Sequence, residues 1–380
     1  MMLVTDTLFD TNGVSRFIRD LASRAEGFGT ELTVVTASPL APERLPGNIL
    51  NLKPPLALRM PFYKEQYLTV IPPLFRLYRI MRKTRPQIIH LSTPGPMGWS
   101  ALLCARLLGI PCAATYHTHF PAFLEENTRS HLIGNAATLV MRRFYRRMAF
   151  VFSRSKGFIP LLTGTIGTKA VNTFYLPPGT DTETFSPEKR PEGGFWNRYG
   201  IGDNSMVLLY VGRLNVEKNL LFLIERFKEL RSSIKTDICL VLVGEGEYAR
   251  HAPSWREESI FYLGVKRGEE LSKIYAASDL FVSASITETL GQTVMEAQAS
   301  GIPAIVSDQG GVIETVVDQH TGFTISVTHP ERWVAAMVKL VRDKELREEM
   351  GDAARQRMRK ASIAESCRAF LQKHKEFSTR

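Results

Sequence analysis

A chain of 380 residues exceeds what one hydrophobic core usually spans, so two domains are expected. Its apolar content of 44% and charged content of 23% are those of an ordinary globular protein, and no run of 18 or more apolar residues exists to span a membrane. The net charge of +10 is uneven: residues 1–175 hold 21 Lys plus Arg against 9 Asp plus Glu, a net of +12, and residues 176–380 hold 27 against 29, a net of −2. Four cysteines, Cys104, Cys112, Cys239 and Cys367, form no C-x-x-C pair or His cluster, and read as reduced thiols of a cytosolic protein with no zinc site.

Met1-Met2-Leu3-Val4-Thr5 opens the chain as a strand and not as a signal peptide. Asp10-Thr11-Asn12-Gly13-Val14 follows as a loop, then a helix from Ser15 to about Arg24 and a strand at Leu32–Thr36. The Pro-rich stretch Pro39–Pro61 reads as loop. A basic helix over about Val70–Lys83 precedes the strand Ile88–Leu91; Thr93-Pro94-Gly95 turns into a helix from Met97 to Leu108. Pro111–Tyr116 is a further strand, ending at His117-Thr118-His119. This alternation is that of a Rossmann-like sheet. Leu176–Pro187, rich in Pro and Gly, reads as a linker. A second β/α series follows with strands at Val207–Val211, Ile238–Val243, Ile260–Tyr262, Leu280–Ser283 and Ala304–Val306. Residues 331–380 carry a helical, polar pattern with no strand. The basic residues Arg76, Arg79, Arg82, Lys83 and Arg85, and then Arg142, Arg143, Arg146 and Arg147, are interleaved with apolar residues at helical spacing. They read either as solvated helix faces or as a surface drawn to anionic lipid. Nucleic acid is set aside, because no motif for it appears.

The most telling local pattern is Glu288-x7-Glu296. Glu288 follows the strand Leu280–Ser283, and Glu296 lies on the next helix, flanked by Val294, Met295, Ala297 and Ala299, where a solvent-facing carboxylate is out of place. Eight residues span just over two turns, so helical positions at this spacing share a face. Two acceptors there suit the hydroxyls of a sugar and a ribose. The amides near Leu290 and Gly291 form a helix N-terminus suited to ligand oxygens. Arg213 and Lys218 follow the strand Val207–Val211; two cations at the carboxyl end of a parallel strand suit a pyrophosphate. Lys218 precedes Asn219 at a helix start, where the Asn side chain is expected to cap. Gly13, in the first loop, lets backbone amides approach a ligand.

In this order, Val211-Gly212-Arg213-Leu214 with Glu217-Lys218-Asn219, Leu242-Val243-Gly244-Glu245-Gly246, Tyr262-Leu263-Gly264, the E-x7-E segment and Ser307-Asp308-Gln309-Gly310-Gly311 with Glu314 resemble the retaining glycosyltransferases of family 4. The resemblance covers nearly the whole chain. It implies an α/β chain of the GT-B architecture, two Rossmann-like domains facing across a cleft: residues 1–175 for the acceptor, 176–360 for the nucleotide sugar, and 361–380 as a helix crossing back to the first domain. It implies that Arg213 and Lys218 hold the donor diphosphate, Glu288 and His117 the reacting sugar, and Glu296 the ribose. Gly244, Glu245, Leu263 and Gly264 hold the base through their backbone. His119 is a weaker candidate on the acceptor side. Relatives carry two or three glycines in the first loop where this chain has only Gly13. Asp279 and Asp308 are expected to support loops, and Asp181-x-Glu183 does not resemble a metal site. No metal or cofactor is expected beyond the nucleotide-sugar co-substrate.

No second carboxylate is placed as a nucleophile, so a front-face transfer is expected, in which the leaving diphosphate takes the acceptor proton and Arg213 and Lys218 hold the developing charge. Pro94-Gly95-Pro96-Met97-Gly98 and Thr115-Tyr116-His117-Thr118-His119-Phe120-Pro121 resemble the branch with sulfoquinovosyl diacylglycerol synthases and lipid mannosyltransferases. With the basic first half, this favours a cytoplasmic enzyme peripheral on an anionic membrane, using a UDP-sugar or GDP-mannose. A soluble glycan or polyol acceptor, or a GT-B epimerase or phosphorylase, remains the alternative.

Overall fold

The computed structural model describes residues 1–10, 13–59, 67–117, 119–286 and 290–378. By its contacts the chain forms two compact units: Met1–Pro177 with Ala364–Arg380, and Pro178–Ile363. Residues 364–380 add four basic against two acidic residues, so the first unit carries +14 and the second −4.

The first unit is built on a seven-stranded parallel sheet of order β3-β2-β1-β6-β7-β8-β9. Its strands are β1 (Met2–Thr5), β2 (Thr33–Thr36), β3 (Ile49–Asn51), β6 (Ile89–Leu91), β7 (Cys112–Tyr116), β8 (Phe150–Ser153) and β9 (Thr173–Tyr175). Every residue of β1, β6, β7 and β8 is buried, as expected of strands covered on both faces. The helices are α1 (Gly13–Arg24), α2 (Leu74–Thr84), α3 (Pro96–Leu108), α4 (Phe120–Thr128), α5 (His131–Tyr145) and the single turn α6 (Ile159–Leu161). One core cluster packs Leu77 and Met81 of α2, Ala101 and Leu102 of α3, and Phe144 of α5 against Val4, Ile89 and Ala114 of the sheet.

Two expectations fail here. Pro39–Pro61 is not all loop: Ile49–Asn51 adds an edge strand through Val34, and β4 (Leu56–Arg59) pairs antiparallel with β5 (Tyr67–Ile71). The basic helix does not start at Val70. Val70 and Ile71 close β5, and Pro72-Pro73 holds the chain extended before α2 begins at Leu74, because a residue before proline is pushed out of the helical region. Strands β8 and β9 escape the sequence reading because they lie beside helical, Arg-rich sequence.

The second unit has a six-stranded parallel sheet of order β12-β11-β10-β13-β14-β15. The strands are β10 (Met206–Val211), β11 (Ile238–Val243), β12 (Ile260–Tyr262), β13 (Leu280–Ser283), β14 (Ala304–Ser307) and β15 (Gly322–Ile325). Helices α7 (Leu220–Ser233), the short α8 (Ala252–Trp255), α9 (Gly268–Ala277), α10 (Gln292–Ala299), α11 (Pro330–Arg342) and α12 (Lys344–Arg359) cover its two faces, giving two separate core clusters. Helix α13 (Ile363–Ser378) belongs to the first unit. There His374 and Phe370 pack on His90, Phe150 and Phe152, and the Arg154 guanidinium donates to the Ser366 hydroxyl at 3.1 Å.

Candidate functional site

In each unit the chain builds outward from one strand and then returns to that strand's other side. The reversal falls between β10 and β13 in the second unit and between β1 and β6 in the first. At such a switch point the loops leave the carboxyl ends of neighbouring strands in opposite directions and open a crevice for ligand.

In the second unit the loop after β10 carries Arg213 and Lys218. The Tyr210 hydroxyl donates to the Arg213 carbonyl at 2.7 Å, fixing the loop's start. The Arg213 guanidinium stands 3.4 Å from Glu217, a half-buried pair one turn along. Lys218 ends a 3₁₀ turn, Val216–Lys218, and is only 8% exposed. Burying an ammonium to that degree costs free energy unless polar or charged partners surround it. The expected Asn219 cap is corrected: its side chain makes no capping bond, and its backbone adopts φ 52°, a left-handed turn that aims α7. Asn is among the few side chains that tolerate it.

The next two loops present backbone. Gly212 N–H donates to Val243 at 2.9 Å, Gly244 N–H to Gly264 at 2.9 Å, and Leu214 N–H to the Glu245 carbonyl at 2.8 Å. Leu263 N–H donates to Leu242, and the Tyr262 hydroxyl to the Gly244 carbonyl at 3.1 Å. Gly244, Glu245, Leu263 and Gly264 thus form one strip along the carboxyl edge of β11 and β12. At φ 140°, Gly244 lies where other residues rarely go, and a Cβ there would strike the Gly212 carbonyl.

After β13, Ser285 is buried with its Oγ lacking a hydrogen-bond partner. Glu288 lies outside the described residues, as do Thr287 and Thr289. Leu290 is half-buried, and Gly291, at φ 67°, is the N-cap of α10; a Cβ on it would come within 2.8 Å of Val312. Glu296 sits in the middle of α10, 2% exposed, accepting a 3.0 Å bond from the Tyr275 hydroxyl of α9. Asp279 is at the opposite, amino edge of the sheet, where it accepts from Val207 N–H at 2.8 Å. The Asp181 carboxylate accepts from Thr184 N–H and hydroxyl, closing a turn.

In the first unit the corresponding edge carries side chains. Asp6, after β1, accepts from Met97 N–H at 2.9 Å and from the Thr93 hydroxyl at 2.6 Å, capping α3 across the switch point. Burial pushes its carboxyl up, and these donors oppose the shift. His117, after β7, pairs its Nε2 with the Ser92 hydroxyl at 3.2 Å. Burial, and then the Arg154 guanidinium, hold its pKa down to about 3, so the ring is neutral. His119 precedes α4 and pairs its Nδ1 with the Tyr116 hydroxyl at 2.9 Å. Gly13 is not in a loop: it is the first residue of α1, with an ordinary φ and open space where a Cβ would stand.

Three side chains here went unread in the sequence. Tyr275 is 21 residues from Glu296 and meets it only through the packing of α9 on α10. Ser285 closes the strand-like run Asp279–Ser285, where its orphaned hydroxyl has no sequence signature. Arg154 follows β8 and reaches His117, after the adjacent strand β7, only through space.

The family model described as Glycosyl transferases group 1 matches residues 196–357, and that described as Glycosyltransferase Family 4 matches residues 11–184. A sulfoquinovosyl transferase of Arabidopsis thaliana is 29% identical over 361 residues, covering 92% of this chain and 67% of its own length. A GDP-mannose-dependent alpha-(1-6)-phosphatidylinositol monomannoside mannosyltransferase of Mycolicibacterium smegmatis is 29% identical over 300 residues, covering 74% and 68%. Among solved structures, Anabaena HepE in complex with UDP-glucose covers 99% of both chains with a TM-score of 0.75 at 14% identity. The fold is GT-B.

Proposed function

The chain belongs to glycosyltransferase family 4, and from that premise we propose that it is a retaining enzyme moving a sugar from UDP-sugar or GDP-mannose to a membrane lipid. The observation that carries the reading is the edge of the second sheet. There Arg213 and the buried Lys218 follow β10, a glycine-rich backbone strip follows β11 and β12, and Glu296 is buried in the helix after β13. Cations beside glycine amides and a buried carboxylate match the three parts of a nucleotide sugar: diphosphate, base and ribose.

Each residue then has a role. Arg213 and Lys218 hold the diphosphate and its growing negative charge as the glycosidic bond breaks. Glu288 and the amides at Leu290 and Gly291 hold the sugar as oxocarbenium character builds. His117, kept neutral, contributes hydrogen bonds to the sugar without adding charge. Glu296, oriented by Tyr275, holds the ribose. The acceptor oxygen attacks from the face the diphosphate leaves, and a diphosphate oxygen takes its proton.

The lipid acceptor is supported by the first unit's +14 charge and by two helices with exposed apolar side chains among cations. Phe75 is 86% exposed on α2 beside Arg76, Arg79, Arg82 and Lys83, and Leu132 is 81% exposed on α5 with Leu139 and Val140. Such faces suit an anionic bilayer surface. Arg142 is less suited to this than its neighbours, because its guanidinium is bonded to the Thr165 carbonyl. Among the described residues no helix is long and apolar enough to cross a membrane. The mycobacterial relative acts, by its name, on a phosphatidylinositol mannoside, which points the same way.

The test is nucleotide release from UDP-glucose and GDP-mannose, with and without vesicles containing diacylglycerol or phosphatidylinositol, at low and high salt. One donor is expected to be consumed, faster with anionic vesicles, and vesicle binding is expected to fall as salt screens charge over ~8 Å. Equal rates with free glycerol and with vesicles would remove the lipid acceptor. No release from any nucleotide sugar would remove the donor assignment.

A further inference from the structure

We propose that Asp10 is the acceptor-binding carboxylate of this enzyme, its oxygens kept for a hydroxyl on the neutral, polyhydroxylated part of the incoming acceptor. The proposal rests on the transferase reading above and concerns a residue to which that reading gives no role.

Asp10 lies in the loop that leaves β1 at the first unit's switch point. It is 7% exposed, and among the described residues no hydrogen bond or ion pair to its carboxylate is found. Buried polar groups almost always have a partner, and a buried carboxylate without one is costly to keep. Its neighbour Asp6 shows the ordinary solution, with Thr93 and Met97 donating to it. The same edge holds two more orphans: the hydroxyl of Thr36, which closes β2 beside Thr5, and the hydroxyl of Thr7, just after β1. Two buried hydroxyls unpartnered among the described residues, at the ends of adjacent strands, and the Asp10 carboxylate in the loop beyond them leave donors and acceptors for something outside the chain.

Charge narrows the ligand. Burial and the Asp6 carboxylate push Asp10 up to about 6, so near neutral pH it is mostly ionised and able only to accept. The other charged or titratable groups on the surrounding elements are the neutral His117 after β7, Arg154 after β8, and Arg16, Arg19, Asp20 and Arg24 on α1; the first turn of α3 has none. A carboxylate already repelled by Asp6 disfavours a phosphate at the same spot, so a phosphate-bearing headgroup would turn its hydroxyls, not its phosphate, to Asp10.

The test uses Asp10→Asn and Asp10→Ala in the full chain, with glycerol, myo-inositol, and diacylglycerol or phosphatidylinositol vesicles as acceptor probes and the donor that wild type consumes. Acceptor KM is expected to rise about tenfold or more, the cost of losing a hydrogen bond to a charged group, with donor KM unmoved and the thermal midpoint not lowered. In wild type, acceptor KM is expected to rise as pH falls through about 6; in Asp10→Asn this limb is expected to vanish. Unchanged acceptor KM in both variants, or a rise in donor KM with a fall in thermal midpoint, overturns the assignment. Wild type that releases nucleotide but transfers to none of these hydroxyl probes counts against Asp10 alone. Wild type that consumes no donor defeats the transferase reading, and Asp10 with it.

Discussion

The two units share an all-parallel sheet with a central reversal, and they finish its carboxyl edge in opposite ways. In the second unit the strand ends run into Gly212, Gly244 and Gly264, where backbone pairs with backbone, with Arg213 and Lys218 added at one end. In the first unit the strand ends run into Asp6, Asp10, Ser92, His117 and Arg154, all side chains, and burial shifts the titration of the four ionisable ones toward their neutral forms. Backbone amides and carbonyls make the same bonds whatever residue bears them, so they suit a co-substrate of fixed shape. Side chains change with each substitution, so they suit the ligand in which one transferase differs from another.

The largest expected effect tests the cation end of the backbone edge. Arg213→Ala and Lys218→Ala are each expected to cut kcat by about 10²–10³, as for loss of a transition-state electrostatic partner, with the thermal midpoint little changed. Steady-state kinetics at saturating donor check this, and near wild-type kcat in both would break the contrast. Arg213 carries the sharper test, because its pairing with Glu217 is a rival structural role: Glu217→Gln is expected to leave kcat within a few-fold if the ligand is the real partner.

A smaller, more discriminating effect separates the two glutamates. Glu288→Gln is expected to lower kcat, and Glu296→Gln to weaken binding of free UDP or GDP. Tyr275→Phe, which removes the 3.0 Å bond to Glu296, is expected to weaken nucleotide binding by about fivefold, the worth of one hydrogen bond. Steady-state kinetics read the first, and calorimetric titration with free nucleotide reads binding in all three variants. Weakening by the Glu288 change alone would reverse the assigned roles.

The smallest effect concerns the side-chain edge and what lies beneath it. His90 Nδ1 and His374 Nε2 are 3.0 Å apart and buried; the His374 Nδ1–H donates to the Phe370 carbonyl at 2.7 Å, and Thr115 is 3.0 Å from His90 Nε2. With both rings neutral, His90 Nδ1–H donates to His374 Nε2 and the Thr115 hydroxyl donates to His90 Nε2, and burial favours this uncharged form. Burial holds His90 well below its usual range and His374 down to about 4. A histidine with a depressed folded pKa supports the fold fully above its unfolded value, about 6.5, and that support is lost as pH falls from there toward 4. The docking of α13 is therefore expected to weaken in that window, lowering the thermal midpoint by roughly 5 °C. In His374→Gln the midpoint is expected to be lower at neutral pH and flatter across the window. A midpoint independent of pH between 6.5 and 4 in wild type would count against the neutral chain.

Most of the second unit's carboxyl edge was legible in the sequence, because its requirements are local. A glycine where the backbone must turn through φ 140°, a cation just past a strand end, and a carboxylate in an apolar helix each leave a mark within a few residues. The strands β10, β11, β12, β13 and β14 were legible for the same reason: continuous buried runs bounded by turns. Strands β8, β9 and β15, no shorter than β12, were not read from the sequence, and Pro72-Pro73 split a basic run that continuous helical spacing had joined.

What sequence by itself determined is the family and the two-part α/β architecture, and it supplied the residues proposed to hold a nucleotide sugar, since those are written as local patterns in a fixed order. Tertiary structure alone decided which carboxylate is capped and which is left without partners, that His117 is neutral, that Tyr275 serves Glu296, and that His90 meets His374 across 284 residues. Those facts depend on burial and on contacts between distant elements. Desolvation and charge act through space, and the distance between two residues along the chain carries no information about either.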